Sequence, residues 1–376
     1  MAQEMSIKRV LLSDVAKLAG LSKATLSRYM NNSIVLPQDT IDRIETAIRE
    51  LDYRGNSLAR RLSKGGSETL GLVLPDITNP FFAELADAAE EAASASGYSL
   101  VLCITRNNPE KECQFIRWLD TCQVDGLLFT TNRPDNGLLR KEVQRHERIV
   151  LLDEDIPGSK VPKVFADNVQ GGRIATEKLI AAGHRHIAFV GGPDKLMSVR
   201  ERYQGFCTAM EQAGLSWPPE WVMYGDYQRE FGQQALRYLF SQQVRPTAVF
   251  AASDYLVLGL LDGLRASGLQ APEALSLVGF DDANYADFTQ PRISTIRQPA
   301  RELGRTAVNI MMRLLNDDPD IPAETRLPVE WMAATRSRFV KPVPKWRKSA
   351  RFWRKKRSIN NLFTIISKPV YRIVFN

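Results

Sequence analysis

Three hydroxyls, a lysine and an arginine fall within seven residues at Ser22, Lys23, Thr25, Ser27 and Arg28, with the small Ala24 among them. Such a set suits a polyanion whose edges can be read. An arginine fork can take guanine O6 and N7 together. The methyl of an alanine can only touch thymine or leave room, and hydroxyls and a helix N-terminus suit phosphate oxygens. A second set lies farther along, where apolar runs end in polar or aromatic residues: Pro75 to Phe82 (PDITNPFF), Asp153, Ser253-Asp254 and Phe280-Asp281-Asp282, with Met197 to Phe206 (MSVRERYQGF) following Gly191-Gly192. Aspartates and an asparagine exchange hydrogen bonds with vicinal hydroxyls, aromatic faces stack on a sugar ring, and an arginine grips a carboxylate with two bonds. That mixture suits a sugar or a sugar acid.

The first set needs a helix beneath it. Leu12 to Asn31 reads LSDVAKLAGLSKATLSRYMN, which predicts a helix from about Ser13 with Val15, Leu18 and Ala19 on one face. Gly20 ends it in the left-handed conformation. Ser22 caps a second helix in which Leu26 and Tyr29 face inward, leaving Lys23, Ala24, Thr25, Ser27 and Arg28 outside. This is the helix-turn-helix pattern, whose second helix lies in the DNA major groove. Ile41, Ile44, Ile48 and Leu51, at helical spacing, supply the core that two short helices cannot bury alone. The plainer alternative for the outer face is solvated polar surface on a three-helix bundle.

The second set needs strands. From Thr69 the runs TLGLVLP, SLVLCIT, DGLLFTT, RIVLLD, HIAFVGG, TAVFAAS, LSLVGFD and ISTIRQ alternate with helical patterns at about 81–97, 109–121, 168–183, 199–214, 229–242, 254–268 and 299–316. Short apolar strands interleaved with helices imply parallel sheets covered on both faces. Eight such strands predict two doubly wound halves, with ligands bound beyond the strand carboxyl ends in the cleft between them. The fold class is therefore an all-α headpiece followed by an α/β core. No GxGxxG follows a strand, and no GxxxxGK[ST], GxSxG or HExxH occurs, so no catalytic residue, cofactor or metal is expected. His184 and His186, in the turn GHRHIAFV, read as a cap and a strand start rather than metal ligands.

Charge separates the same regions. The 376 residues carry net +7; residues 1–66 hold 11 basic and 7 acidic side chains and residues 341–376 hold 11 basic and none acidic, which leaves the middle at −8. The acidic middle is unsuited to holding DNA itself. Cys103, Cys113, Cys122 and Cys207 have neither CxxC nor metal-ligand spacing and read as reduced core thiols. No apolar run approaches 18 residues and no leader is evident, so a cytoplasmic protein with no membrane partner is expected.

The phrase DVAKLAGLSKATLSRYMN resembles the LacI family of bacterial repressors, and the resemblance extends over residues 8 to 340. It implies a helix-turn-helix headpiece at 8–55, a hinge helix and linker at 56–66, and an effector-binding and dimerisation core at 67–340. That core is of periplasmic-binding-protein type, with an N-subdomain of about 67–166 and 297–325 and a C-subdomain of about 167–296 and 326–340. By the resemblance, Lys23, Ala24 and Arg28 meet base edges and Ser22, Thr25, Ser27 and Asn31 meet phosphates. Within the hinge segment NSLARRLS, Leu62 and its two-fold mate enter the minor groove. Asn56 and Ala59 support it there, and Arg60 and Arg61 lie on phosphates. Effector contacts fall at Phe82, Asp153, Ser198, Arg202, Tyr227, Ser253 and Asp281. The implied partners are a pseudo-palindromic double-stranded operator, a small effector and a second copy of the chain in a homodimer.

Three positions depart from the family pattern. Ser253 stands where asparagine is usual, Leu11 replaces the threonine or serine that caps the first helix and so moves its start to Ser13, and Gly55 replaces a proline. A closer resemblance is to regulators of ketogluconate and gluconate use, carried by ARRLSKGGSETLGLVLPDITNPFFAELADA, LLFTTNRPDNG and LLDEDIPG. It implies a sugar acid, best 2-ketogluconate or gluconate, with Arg202 and nearby Arg200 facing its carboxylate. The competing readings are a sugar-binding module without DNA regulation and a corepressor-dependent regulator. For individual cleft residues the alternative is a helix cap or a core aromatic. The basic tail 341–376, with neither acid nor heptad, reads as an appendage with little fixed structure in preference to a phosphate clamp or a lipid-docking surface.

Overall fold

The computed structural model describes residues 10–30, 33–53, 66–135, 137–283, 289 and 292–334. Asn31, the hinge residues Asn56, Ala59, Arg60, Arg61 and Leu62, Gly55 and the tail 341–376 lie outside them. The chain divides into two units, Met1–Glu68 and Thr69–Asn376.

In the first unit, α1 (Leu12–Leu18), α2 (Lys23–Met30) and α3 (Gln38–Glu50) enclose Val15, Ala16, Ala19, Leu26, Ile44 and Ala47, with Tyr29, Ile48 and Leu51 packed against them. The start of α1 lies before the expected Ser13. Leu11 has no side-chain oxygen, but Asp14 reaches back to accept from the Leu11 N–H at 2.9 Å, which satisfies one orphan donor and fixes the start at Leu12. Leu18 is 50% exposed rather than inward. The buried arc runs through Val15, Ala16 and Ala19, and at about 100° per residue Leu18 falls outside it. Gly20 has φ +71°. Its N–H donates to the Lys17 carbonyl at 3.3 Å and the Leu21 N–H to the Ala16 carbonyl at 2.9 Å, the paired bonds that close a helix C-terminus around a left-handed residue. Ser22 Oγ then accepts from the Thr25 N–H at 3.0 Å and caps α2 as expected.

The second unit has two lobes. One sheet contains β1 (Thr69–Leu74), β2 (Ser99–Ile104), β3 (Gly126–Phe129), β4 (Ile149–Leu152), β5 (Lys163–Ala166) and β11 (Glu324–Leu327). The other contains β6 (Ile187–Gly191), β7 (Val222–Tyr224), β8 (Ala248–Ala251), β9 (Ser276–Asp281), β10 (Ser294–Arg297) and β12 (Glu330–Met332). The orders are β11-β5-β4-β3-β1-β2 and β12-β10-β9-β8-β6-β7. All neighbours are parallel except β10 and β12. β1 and β6 each sit between their second and third strands, the switch point where the crossovers reverse direction.

The helices α4 (Pro80–Ala95), α5 (Pro109–Ile116), α6 (Leu138–Val143), α7 (Asn168–Ala181), α8 (Met197–Gln212), α9 (Arg229–Ser241), α10 (Asp254–Ala266) and α11 (Ala300–Leu315) fall where the helical periodicity placed them, apart from the short α6. Four strands, β5, β7, β11 and β12, were not among the eight expected. β11 alternates exposed with half-buried residues and carries Glu324 and Arg326, so it lacks the apolar run that betrays a central strand. The chain passes from sheet to sheet after β5, after β10 and between β11 and β12. Cys103 and Cys113 are buried and Cys207 half-buried, but Cys122 is exposed, against the expectation of core thiols throughout.

Candidate functional sites

On α2, Lys23, Ala24 and Arg28 are exposed, as is Ser22 just before it, while Thr25 and Ser27 are half-buried. Ser22 Oγ lies 2.8 Å from Thr25 Oγ1, so the hydroxyl pair sits at the amide-rich N-terminus. Neither Lys23 nor Arg28 has an ion-pair partner among the described residues, which leaves a lysine and an arginine fork to face outward on one short helix. At its far end, Ser33 closes α2 by donating through N–H and Oγ to the Arg28 carbonyl, at 2.9 and 2.8 Å.

In the two-lobed unit the strand carboxyl ends bring a polar cluster together. Arg202 on α8 is 3% exposed. Its Nε donates to Asn168 Oδ1 at 2.8 Å and its Nη1 to the Ala252 carbonyl at 2.7 Å. The guanidinium lies 3.8 Å from the centre of the Phe280 ring and 3.9 Å from Asp281 Oδ1. Nη2 has no acceptor among the described residues. Ser253 caps α10 by accepting from the Tyr255 N–H at 3.2 Å, and its hydroxyl donates to Asp281 Oδ2 at 2.8 Å. Gln298, just past β10, donates to Asp281 Oδ1 at 2.8 Å. Asp254 accepts from Thr295 Oγ1 at 2.8 Å and from the Ala283 N–H at 3.0 Å.

Asp153 follows β4 with φ +64° and is 8% exposed. Loss of water pushes its carboxyl up to about 6, with the Asp281 charge adding to the rise and Arg202 opposing it. Burial also raises Asp281, again against Arg202, and raises Asp254, where the neighbouring Asp281 adds to the effect. Beside Asp153, Glu154 accepts from the N–H groups of Met197 and Ser198 and from Ser198 Oγ at 2.7 Å, yet burial lifts it to about 7. Asp153 Oδ1, Tyr227 Oη, Gln298 Oε1 and Thr130 Oγ1 are buried without a hydrogen-bond partner among the described residues. Buried polar atoms left this way are groups for which a polar ligand could supply the missing bonds.

The expected effector residues divide into three groups. Asp153, Arg202, Ser253 and Asp281 meet in this cluster, and Ser198 joins it through Glu154. Tyr227 is half-buried, and its ring occupies the space that a side chain at Gly192 would fill. Phe82 is 2% exposed and packs in the first lobe's core, edge-on to Phe81. Arg200 is exposed. Asn79 and Asp76 serve local turns, capping α4 and holding Thr78. Glu154, Gln298 and Thr130 were absent from the sequence expectation. Gln298 and Thr130 end strands as the others do, so the strand-end rule could have found them; nothing in the linear sequence distinguishes Glu154 from its acidic neighbours. His184 bonds Thr247 at 2.9 Å and His186 lies against Trp221. No group able to hold a metal ion occurs among the described residues.

A helix-turn-helix unit on the same chain as a two-lobed α/β core with a polar cluster at its strand ends defines a ligand-responsive DNA-binding regulator. Residues 11–56 match the family described as bacterial regulatory proteins, lacI family, and residues 67–335 match periplasmic binding proteins and sugar binding domain of LacI family. The chain belongs to the LacI family. It is 34% identical over 308 residues to the HTH-type transcriptional repressor PurR of Vibrio vulnificus, a match covering 81% of this chain and 92% of that protein. The PurR of Photobacterium profundum is 32% identical over 307 residues, with the same coverage.

Among solved structures, the complex of transcriptional regulator CelR with cellobiose is similar at 31% identity and TM-score 0.66, covering 86% of this chain and 99% of that one. The lac repressor dimer bound to operator and the anti-inducer ONPF is similar at 25% identity and TM-score 0.77, covering 87% and 98%. The protein is thus a DNA-binding repressor of the LacI family with a ligand-binding domain. Its relatives are transcriptional repressors rather than enzymes. No helix among the described residues is long and apolar enough to cross a membrane.

Proposed function

We propose that this repressor is cytoplasmic and controls a pseudo-palindromic operator in response to a sugar acid, best 2-ketogluconate or gluconate, bound between the lobes of its core. The observation that carries the reading is Arg202, a buried guanidinium whose Nη2 has no protein acceptor among the described residues. That arm would take the ligand carboxylate, while Asp153, Ser253, Asp281 and Gln298 would meet hydroxyls. Tyr227 and Ser198 would border the ligand, and Phe82 would support that wall from the core. On the DNA side, Lys23, Ala24 and Arg28 would read bases and Ser22, Thr25, Ser27 and Asn31 would hold phosphates. Asn56, Ala59 and Leu62 would occupy the minor groove.

Control is a population shift: the effector biases the lobe arrangement by its differential affinity, typically about 1–3 kcal/mol of coupling. Release from DNA on binding, rather than tightening, is the sign we favour. Calorimetric titration of 2-ketogluconate, gluconate, ribose and cellobiose, together with mobility shifts on symmetric duplexes, tests both halves. Ribose and cellobiose enter the panel because related structures carry ribose or cellobiose. Binding confined to those neutral sugars rejects the acid effector. Failure to prefer any symmetric duplex, with or without ligand, rejects operator control.

A further inference from the structure

The first lobe grips α8, a helix of the second lobe, at two points one turn apart. Glu154, two residues past β4, accepts from the Met197 N–H and, through its other oxygen, from the Ser198 N–H at 3.2 Å and Ser198 Oγ at 2.7 Å. Arg326 on β11 holds both oxygens of Glu201, at 2.7 and 2.8 Å, and also bonds Glu324 at 2.6 Å. The N–H groups of Met197 and Ser198 belong to a first helical turn, for which α8 itself provides no acceptor, and the capping residue Leu196 has no side-chain oxygen. Their acceptor therefore comes from the opposite lobe. Arg202, one residue beyond Glu201, lies in the ligand cluster.

We propose that Glu154 is a positioning residue that latches the two lobes through the N-terminus of α8, and that closing this latch takes up a proton, so that an acid ligand enters the closed cleft together with one. With the lobes apart, water would solvate the carboxylate; closure removes that water and leaves Glu154 2% exposed. The groups facing it are mostly acidic. Asp153 adjoins it and feels Asp281 in turn. Asp155 on the same loop is tied to Lys163 at 2.6 Å. Tyr227 faces it from the second lobe.

Arg202, the buried cation, is engaged by Asn168 and Ala252, while Arg326 and Glu201 neutralise each other. Two amides and a hydroxyl do not offset the lost hydration, and the carboxyl rises from 4.5 to about 7. Once protonated, Glu154 still accepts through its carbonyl oxygen, and its O–H can donate to Ser198 Oγ. A rise of that size on closure makes the closed form about tenfold more favoured at pH 6 than at pH 8, with about twofold more from Asp153.

The test is hydrogen exchange of the Met197 and Ser198 amides in the full chain without ligand, corrected for intrinsic rates. Wild type should show about tenfold or greater extra protection at pH 6 relative to pH 8. In Glu154→Gln that ratio should fall to about two or less, while protection in α10 is retained as a check on folding. Ser198→Ala, which keeps the carboxylate, should retain the ratio at Met197. Equal protection at both pH values in the wild type, or an unchanged ratio in Glu154→Gln, overturns the latch.

A second arm rests on the sugar-acid reading. Gluconate should bind more tightly at pH 6 than at pH 8, and Glu154→Gln should flatten that profile. Gluconate affinity that is flat in the wild type overturns the coupling to the ligand. Absence of hexonate binding at either pH removes the sugar-acid reading, while amide protection still decides the latch.

Discussion

At the scale of single residues, Arg202 shows why charge alone does not describe a ligand site. Its Nε and Nη1 are committed to Asn168 and Ala252 and its plane rests on Phe280, an arrangement that needs a flat, forked cation. Arg202→Lys cannot satisfy both acceptors or lie against the ring. We expect it to lower core stability by roughly 2–3 kcal/mol and to abolish ligand binding, read from the urea midpoint and by calorimetry. On the other unit, Arg28 is exposed on α2 with no competing ion pair among the described residues. Arg28→Ala should weaken operator binding by about 1–3 kcal/mol and relax the preference at one base pair in each half-site, measured by competition among single-base operator variants.

Elements act through how closely they approach. Helices α7 and α8 carry Asn168 and Arg202, and they meet where both lack side chains: a Cβ on Gly205 would collide with the Val169 carbonyl and one on Gly172 with that of Arg202. Backbone cannot move aside as a side-chain tip can. Gly205→Ala should therefore push α8 off α7 and cost roughly 1–3 kcal/mol, seen as a lower thermal midpoint. Ligand affinity should fall with it, because the bond between Arg202 and Asn168 spans the same contact. On the headpiece, the glycine that ends α1 and the serine that caps α2 were both legible, since φ and capping are local properties. Leu18 was misplaced because one helix face does not say which arc its neighbours will cover.

For the whole molecule, buried carboxylates make the core sensitive to pH in a definite direction. Glu154 rises from 4.5 to about 7 and Asp153 from 3.8 to about 6, so the folded chain binds these protons more tightly than the unfolded chain. Their stabilisation is fully present below the unfolded values and is lost as pH rises through about 6 and then 7. Between pH 8 and pH 6 the urea-derived stability of the wild type should gain about 1–2 kcal/mol relative to Glu154→Gln. Taking the difference between the two proteins removes the opposite contribution of His184, whose burial lowers its value.

What the residues alone determined follows from local rules. Periodicity placed seven core helices, apolar runs placed eight strands, all but β2 inside their sheets, and Gly20 and Ser22 placed the turn before the outward-facing helix. The strand-end rule singled out Asp153, Ser253 and Asp281, which the fold gathers into one cluster, because in a parallel sheet every carboxyl end points to the same side. Tertiary structure decided the rest. Edge strands such as β11 became visible only once a neighbour supplied their hydrogen bonds. Phe82 joined a core and Ser253 took a helix cap because packing, not residue type, assigns a side chain between roles. Glu154 acquired its partners 43 and 44 positions away, across two lobes; desolvation and long-range contact depend on what surrounds a residue, and linear spacing carries neither.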